Sequence, residues 1–174
     1  HRWGFNDSGF ELTGEKTVTF SGNRYEVSGT TMPDFIPYIE SVLGIDFDKE
    51  DQISPIDTKP TQPSSLDHEF FQQIKNSFNE DRYTVDDLER LIHSHGQETF
   101  KDVYKVLYDS IERNVDLVFY PETEDEVSKL VALAVKFNVC IIPYGGGTNV
   151  TRALTIPENE KRSVISMDMR RMSK

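Results

Sequence analysis

The residues best suited to chemistry on an anion form one run, Pro143-Tyr144-Gly145-Gly146-Gly147-Thr148-Asn149-Val150. Three consecutive glycines are costly to order, because Gly loses the most backbone freedom on folding. A loop that keeps them needs positive φ angles or the close approach of another group to its main chain. Successive N–H groups in such a loop can converge into a nest that binds an anion, typically a phosphate; the alternative for three glycines is a plain tight turn. Thr148 and Asn149 add side-chain donors beside those amides. Two familiar phosphate loops do not fit. The Walker pattern ends in Gly-Lys-Ser/Thr, and Gly147 is followed by Thr148. The Rossmann fingerprint needs a third glycine opening a helix, where this chain has Val150.

Other reactive side chains point to structure rather than chemistry. Cys140 is the sole cysteine, so no internal disulfide can form, and its place in an apolar strand predicts core packing. His93 and His95 are spaced i, i+2, which puts them on different faces of a helix, with no Cys or third His nearby. That spacing predicts a structural or hydrogen-bonding role and no metal.

The elements around the glycine run follow from periodicity. Leu117-Val118-Phe119-Tyr120 reads as a strand stopped by Pro121. Thr123 caps a helix, with Glu126 in the capping-box position. Val127, Leu130, Val131, Ala134 and Val135 form its expected buried stripe. Val139 to Ile142 is the next strand, so residues 117–142 read as a βαβ unit with parallel strands. The glycine loop leaves the carboxyl end of the second strand, where open α/β sheets bind ligands. Residues 163–168 read as a third strand.

Upstream, Thr17–Phe20 and Arg24–Val27 flank Ser21-Gly22-Asn23 as a β-hairpin. Trp3 to Ser8 mixes aromatics with turn formers and reads as an aromatic plug. Phe35, Ile36, Ile39, Val42 and Leu43 fit one helical face ending at Gly44. Residues 46–65 read as a long irregular connection. A second helix starts near Ser65 and buries Phe70, Phe71, Ile74 and Phe78. A third starts at Thr84 with Asp87 in the capping-box position and Leu88, Leu91 and Ile92 as its stripe. A fourth carries Phe100, Val103, Tyr104, Leu107 and Ile111 on one face. The fold class is therefore α+β. A mainly helical N-terminal region with a β-hairpin, residues 1–112, precedes the first part of an α/β domain, residues 113–174.

Composition sets outer bounds. The chain has 174 residues and a net charge of −11, which argues against a nucleic-acid partner. Eleven phenylalanines, seven tyrosines and a tryptophan can supply a sizeable core. No apolar run approaches the ~18 residues of a membrane span. The first residue is His1 rather than Met, which reads as a fragment or processed form and leaves room for a targeting segment upstream.

The run from Tyr120-Pro121-Glu122-Thr123 through Cys140-Ile141-Ile142-Pro143 and the glycine loop to Val164-Ile165-Ser166-Met167-Asp168 resembles the start of a vanillyl-alcohol-oxidase (PCMH-type) FAD-binding domain. The resemblance implies that Pro143, Tyr144, Gly145, Gly146, Gly147, Thr148, Asn149 and Val150 wrap the FAD pyrophosphate. Residues 141–152 hold no His to tether the flavin, so FAD is expected to be non-covalent. Trp3 to Ser8, Arg24 to Gly29 and His93-Ser94-His95-Gly96 narrow the resemblance to the alkyldihydroxyacetonephosphate synthase family of flavoenzymes. That likeness implies a peroxisomal enzyme of ether-lipid synthesis. It would replace the acyl chain of acyl-dihydroxyacetone phosphate with a long-chain fatty alcohol, without net redox. It also implies a homodimer in peripheral contact with a membrane. The family's catalytic tyrosine and histidine cluster lie in a C-terminal cap domain that no segment here matches, so no catalytic residue is assigned. The alternative on the same loop is an FAD-dependent oxidase or dehydrogenase of a 2-hydroxy acid or alcohol.

Overall fold

The computed structural model describes residues 7–47, 62–96, 99, 101, 104–106 and 111–172. They fall into two compact units, His1–Asp57 and Thr58–Lys174.

The first unit is a three-stranded antiparallel sheet, β1 (Gly9–Leu12), β2 (Val18–Ser21) and β3 (Thr31–Met32), followed by α1 (Phe35–Leu43). Val18 and Phe20 are its buried apolar residues among those described, and aromatic rings surround Phe20. Phe10 stacks on Phe35 at 5.1 Å and meets Phe20 edge-on at 4.9 Å. The expected hairpin is corrected here: β2 pairs with β1 before it, and Arg24–Val27 forms turns rather than a strand. Tyr25 packs edge-on against Phe20 at 5.7 Å, which folds that segment back over β2. Phe20 spends its main-chain groups on Thr30 and Gly29 instead. Gly44 ends α1 in the left-handed region at φ 66°, as its sequence position requires. No residue of α1 is buried, and Val42 and Leu43 of the expected buried face are exposed. Trp3 to Asn6 and most of the irregular connection lie outside the described residues.

The second unit carries a four-stranded sheet. Its strands are β4 (Tyr83–Thr84), β5 (Leu117–Phe119), β6 (Cys140–Tyr144) and β7 (Val164–Asp168), in the order β4-β5-β7-β6. The βαβ strands β5 and β6 are parallel, but β7 is inserted between them and pairs parallel with both. Strand β4 adds antiparallel to β5. Pro143 lies in β6 at the sheet's edge among the described residues, where a missing N–H is tolerated.

Local signals set most helix ends. Asp67 caps α2 (His68–Ser77), accepting from Phe70 N at 2.8 Å. Thr123 caps α4 (Glu124–Phe137) by accepting from Glu126 N at 3.2 Å, and Glu126 accepts from Glu122 N at 2.7 Å. Asn138 closes α4 in the left-handed region. For α3 (Asp87–Ile92) the cap is Asp86, not Thr84, and its carboxylate accepts from Leu88 N and Glu89 N. Thr84 is held in β4, with its hydroxyl accepting from Asp86 N. The stripe of α3 also differs from Leu88, Leu91 and Ile92: Arg90 and His93 are the fully buried residues, and Leu88 is exposed. Arg90 turns inward because its guanidinium finds Val115 O, Gln62 O and Asp87. Of the fourth helix, Phe100, Val103 and Leu107 lie outside the described residues. Tyr104 is exposed and Val106 buried.

One face of this sheet packs against α2 and α4 through Phe70, Ile74, Phe78, Leu117, Phe119, Leu130, Ala134, Ile165 and Met167. Phe71 is only partly buried at its margin. The buried stripe of α4 is centred on Leu130 and Ala134, while Val131 and Val135 are exposed. The other face carries Val118 and Val164, with Cys140, Ile142 and Tyr120 partly buried against them.

At the amino ends of β5 and β7, Asp116 is fully buried. Its carboxylate accepts from Val164 N and Ser65 N at 2.8 Å and from Arg113 at 2.5 Å. Burial works against ionisation, but Arg113 and the two amides outweigh it and hold the carboxyl below its usual value. This depressed group contributes stability in full above the unfolded value of about 3.9 and loses it as pH falls through the folded one. Asp116→Asn is expected to cost about 3–5 kcal/mol at pH 7, because it strips a buried pair of one charge. The gap from wild type should narrow below about pH 4, as read by urea unfolding at each pH. In the same assay Leu130→Ala should cost about 2–5 kcal/mol, and Val135→Ala, at 78% exposure, within about 0.5 kcal/mol.

Candidate cofactor site

The glycine loop leaves β6 at the carboxyl edge of the parallel strands. Its three glycines have different reasons to be there. Gly147 adopts φ +70°, and a Cβ there would lie 2.4 Å from the Tyr144 hydroxyl oxygen. The fold itself requires this glycine. Gly145 and Gly146 adopt no positive φ in that range. A Cβ at Gly145 meets nothing within 4 Å, and one at Gly146 meets only Thr148 Cγ2 at 3.9 Å. Both are exposed. Packing among the described residues gives no reason for their bareness, which leaves their main chain open to a ligand. This arrangement fits a pyrophosphate laid along backbone amides.

The remaining loop residues divide. Pro143 and Thr148 are exposed, and Val150 is 76% exposed. Tyr144 is buried and shapes the loop from beneath. Asn149 is also buried, in the left-handed region at φ 57°. Its Oδ1 accepts from Leu154 N at 2.8 Å, so that oxygen folds the loop's exit rather than facing outward.

Beneath the loop, side chains from four elements meet. Alternation along β7 places Val164, Ser166 and Asp168 on one face, so the strand grows more polar toward its carboxyl end. Asp168 is fully buried and lies in register with Tyr144. Its carboxylate accepts from His93 Nε2 at 2.9 Å, from Arg170 N at 3.0 Å and from the Arg170 guanidinium. Burial favours the neutral acid, yet His93 and Arg170 override it and hold the carboxyl well below the ordinary range. His93 is also buried, and its Nδ1 lies 2.7 Å from Glu89 O. Both ring nitrogens thus face acceptor oxygens.

The His93 ring sits 4.4 Å from that of Tyr144 and 5.9 Å from that of Tyr120. Tyr120 donates to Glu89 Oε2 at 2.7 Å. Burial, reinforced by the Glu89 carboxylate, pushes the Tyr120 phenol up, and burial does the same to Tyr144. Neither phenol ionises near neutral pH. The cluster is thus a packed, hydrogen-bonded floor for the loop. His93 takes the hydrogen-bonding role its spacing predicts. Asp168, Glu89 and Arg170 were not singled out by the sequence, although the rising polarity of β7 was a readable trace of Asp168. Cys140 is partly exposed and packs beside Val118 and Val164 on the same sheet face.

Residues 115–174 match the FAD binding domain family. The chain is 40% identical over 99% of its length to an alkyldihydroxyacetonephosphate synthase of Caenorhabditis elegans, and 33% identical over 86% to one of Dictyostelium discoideum. A solved alkyldihydroxyacetonephosphate synthase structure superposes with a TM-score of 0.78 at 31% identity, covering 99% of this chain. The chain spans 28% and 25% of those two relatives and 32% of the solved chain. The family match begins at residue 115, whereas the compact unit that contains it begins at Thr58. The likeness extends through both units, so by sequence and fold this chain belongs to the alkyldihydroxyacetonephosphate synthase family of FAD-binding proteins.

Proposed function

We propose that this chain carries the FAD pyrophosphate loop of an enzyme that exchanges the acyl chain of acyl-dihydroxyacetone phosphate for a long-chain fatty alcohol, without net redox. The observation that carries the reading is the pair Gly145–Gly146, bare for no reason among the described residues, at the carboxyl edge of the parallel strands. The bound flavin supplies the reactive centre for the exchange. The residues of this chain do the holding. Main-chain amides of residues 145–148 would hold the pyrophosphate, and Gly147 turns the loop over Tyr144. Asn149 ties off its exit. No histidine lies in residues 141–152, so this loop holds the cofactor without a covalent tether of its own. We assign no residue of this chain to the chemistry itself. The same reading makes the enzyme peroxisomal, homodimeric and peripherally bound to a membrane. Fractionation and gel filtration test those points.

A valine at Gly146 puts bulk where the ligand must approach. Its φ is not positive, so backbone strain adds nothing, and the loss comes from one displaced charge-assisted bond. That is about 1.5–3 kcal/mol, or one to two decades in affinity. Full-length Gly146→Val should purify folded and largely colourless. Cys140→Ser should stay yellow and release its flavin intact on acid precipitation. A folded Gly146→Val protein with full flavin content would reduce the triple glycine to a turn.

The complete enzyme should exchange acyl chain for fatty alcohol without consuming oxygen or an electron acceptor. Hydrogen peroxide formed in step with turnover would instead support an oxidase.

A further inference from the structure

The segment His93-Ser94-His95-Gly96 touches the glycine loop at both of its ends. At the entry, the His93 ring lies 4.4 Å from the ring of Tyr144, whose hydroxyl sits against Gly147. At the exit, Gly96 is packed so closely that a Cβ there would stand 2.0 Å from Asn149 Cβ. Between the two contacts, Ser94 is fastened to the fold. Its hydroxyl donates to Arg90 O at 2.5 Å and accepts from Val115 N at 2.8 Å. His93 is fastened as well, between Asp168 and Glu89 O. A four-residue span fastened at His93 and Ser94 thus meets Tyr144 and Asn149, the residues that bound Gly145, Gly146, Gly147 and Thr148.

We infer that residues 93–96 are a two-point brace that sets the span of the glycine loop, making His93 and Gly96 positioning residues for FAD binding. The inference rests on the assignment of the loop to FAD. A nest binds an anion only when its amides converge, and convergence depends on the separation and tilt of the loop's two ends. His93 fixes the tilt of Tyr144 and so the turn at Gly147. Gly96 allows Asn149 to come close enough for its Oδ1 to reach Leu154 N. Any side chain at residue 96 pushes the exit away and opens the loop. Neither brace residue needs to touch the cofactor.

The test uses the full-length protein with His93→Gln, Gly96→Ala and, as a control, Asp116→Asn, which loosens the opposite end of the same sheet. For each, the apoprotein melting temperature is measured and the FAD dissociation constant is read from quenching of flavin fluorescence. His93→Gln keeps a donor near Asp168 but removes the ring from Tyr144. Both brace variants should weaken FAD binding about tenfold or more. Asp116→Asn should lower the melting temperature while its dissociation constant stays within about twofold of wild type. Unchanged affinity in folded His93→Gln and Gly96→Ala overturns the brace. So does an affinity loss that simply follows melting temperature across all three. Should Gly96→Ala fail to fold, His93→Gln, which adds no bulk, decides alone. Gly146→Val measured alongside separates the two levels. Flavin lost there but kept in the brace variants removes the brace only. Flavin kept in all of them removes the loop assignment beneath it.

Discussion

Strand β7 is the element on which the second unit depends, and a buried carboxylate anchors each of its ends. Asp116 takes the Val164 amide at the amino end, and Asp116 N donates to Val164 O at 2.7 Å. Asp168 gathers His93 and Arg170 at the carboxyl end. Neither carboxylate could remain ionised at full burial without these donors, because an unpaired buried charge costs several kcal/mol. The two ends do different work. The amino end joins residues 64–65 and Arg113 to the sheet and is a matter of stability. The carboxyl end faces the loop and is a matter of shape.

That division matches what α/β sheets do generally. Side chains at the carboxyl edge of parallel strands are those that ligands meet, while the amino edge is free to be locked. Here Tyr144 and Asp168 are buried and Tyr120 partly so, with Asp168 held by His93 and Arg170 and Tyr120 by Glu89, so the loop above them rests on a firm floor. A phosphate-binding nest pays its ordering entropy in advance when such a floor exists, and affinity gains accordingly.

Features governed by a few neighbouring residues were legible in the sequence. Thr123 with Glu126, Gly44 and the strand at residues 164–168 are examples, because caps and short apolar runs are local physics. The glycine loop was legible for the same reason, though the sequence could not tell which glycine the fold needed. Features decided at a distance were not legible. Arg24–Val27 has good strand composition, but Tyr25 finds Phe20 and the segment turns. The period of α4 gave the width of its buried stripe without its centre, so Val131 and Val135 were placed inside. The insertion of β7 between β5 and β6 left no trace in either strand. The pairing of His93 with Asp168 spans 75 residues, and no spacing rule reaches so far.

The position of β7 also has a consequence for how the chain acquires this structure. Strands β5 and β6 emerge first in the sequence, yet they have no ladder bonds to each other in the finished sheet. Their inward edges stay unpaired until residues 164–168 slide between them. The pairing of β5 with β7 closes over more than forty residues, which raises the contact order and slows the search. During synthesis a nascent chain that ends before Val164 therefore exposes two apolar strand edges at once. Such edges are the sites where chaperones, or aggregation, engage an unfinished protein.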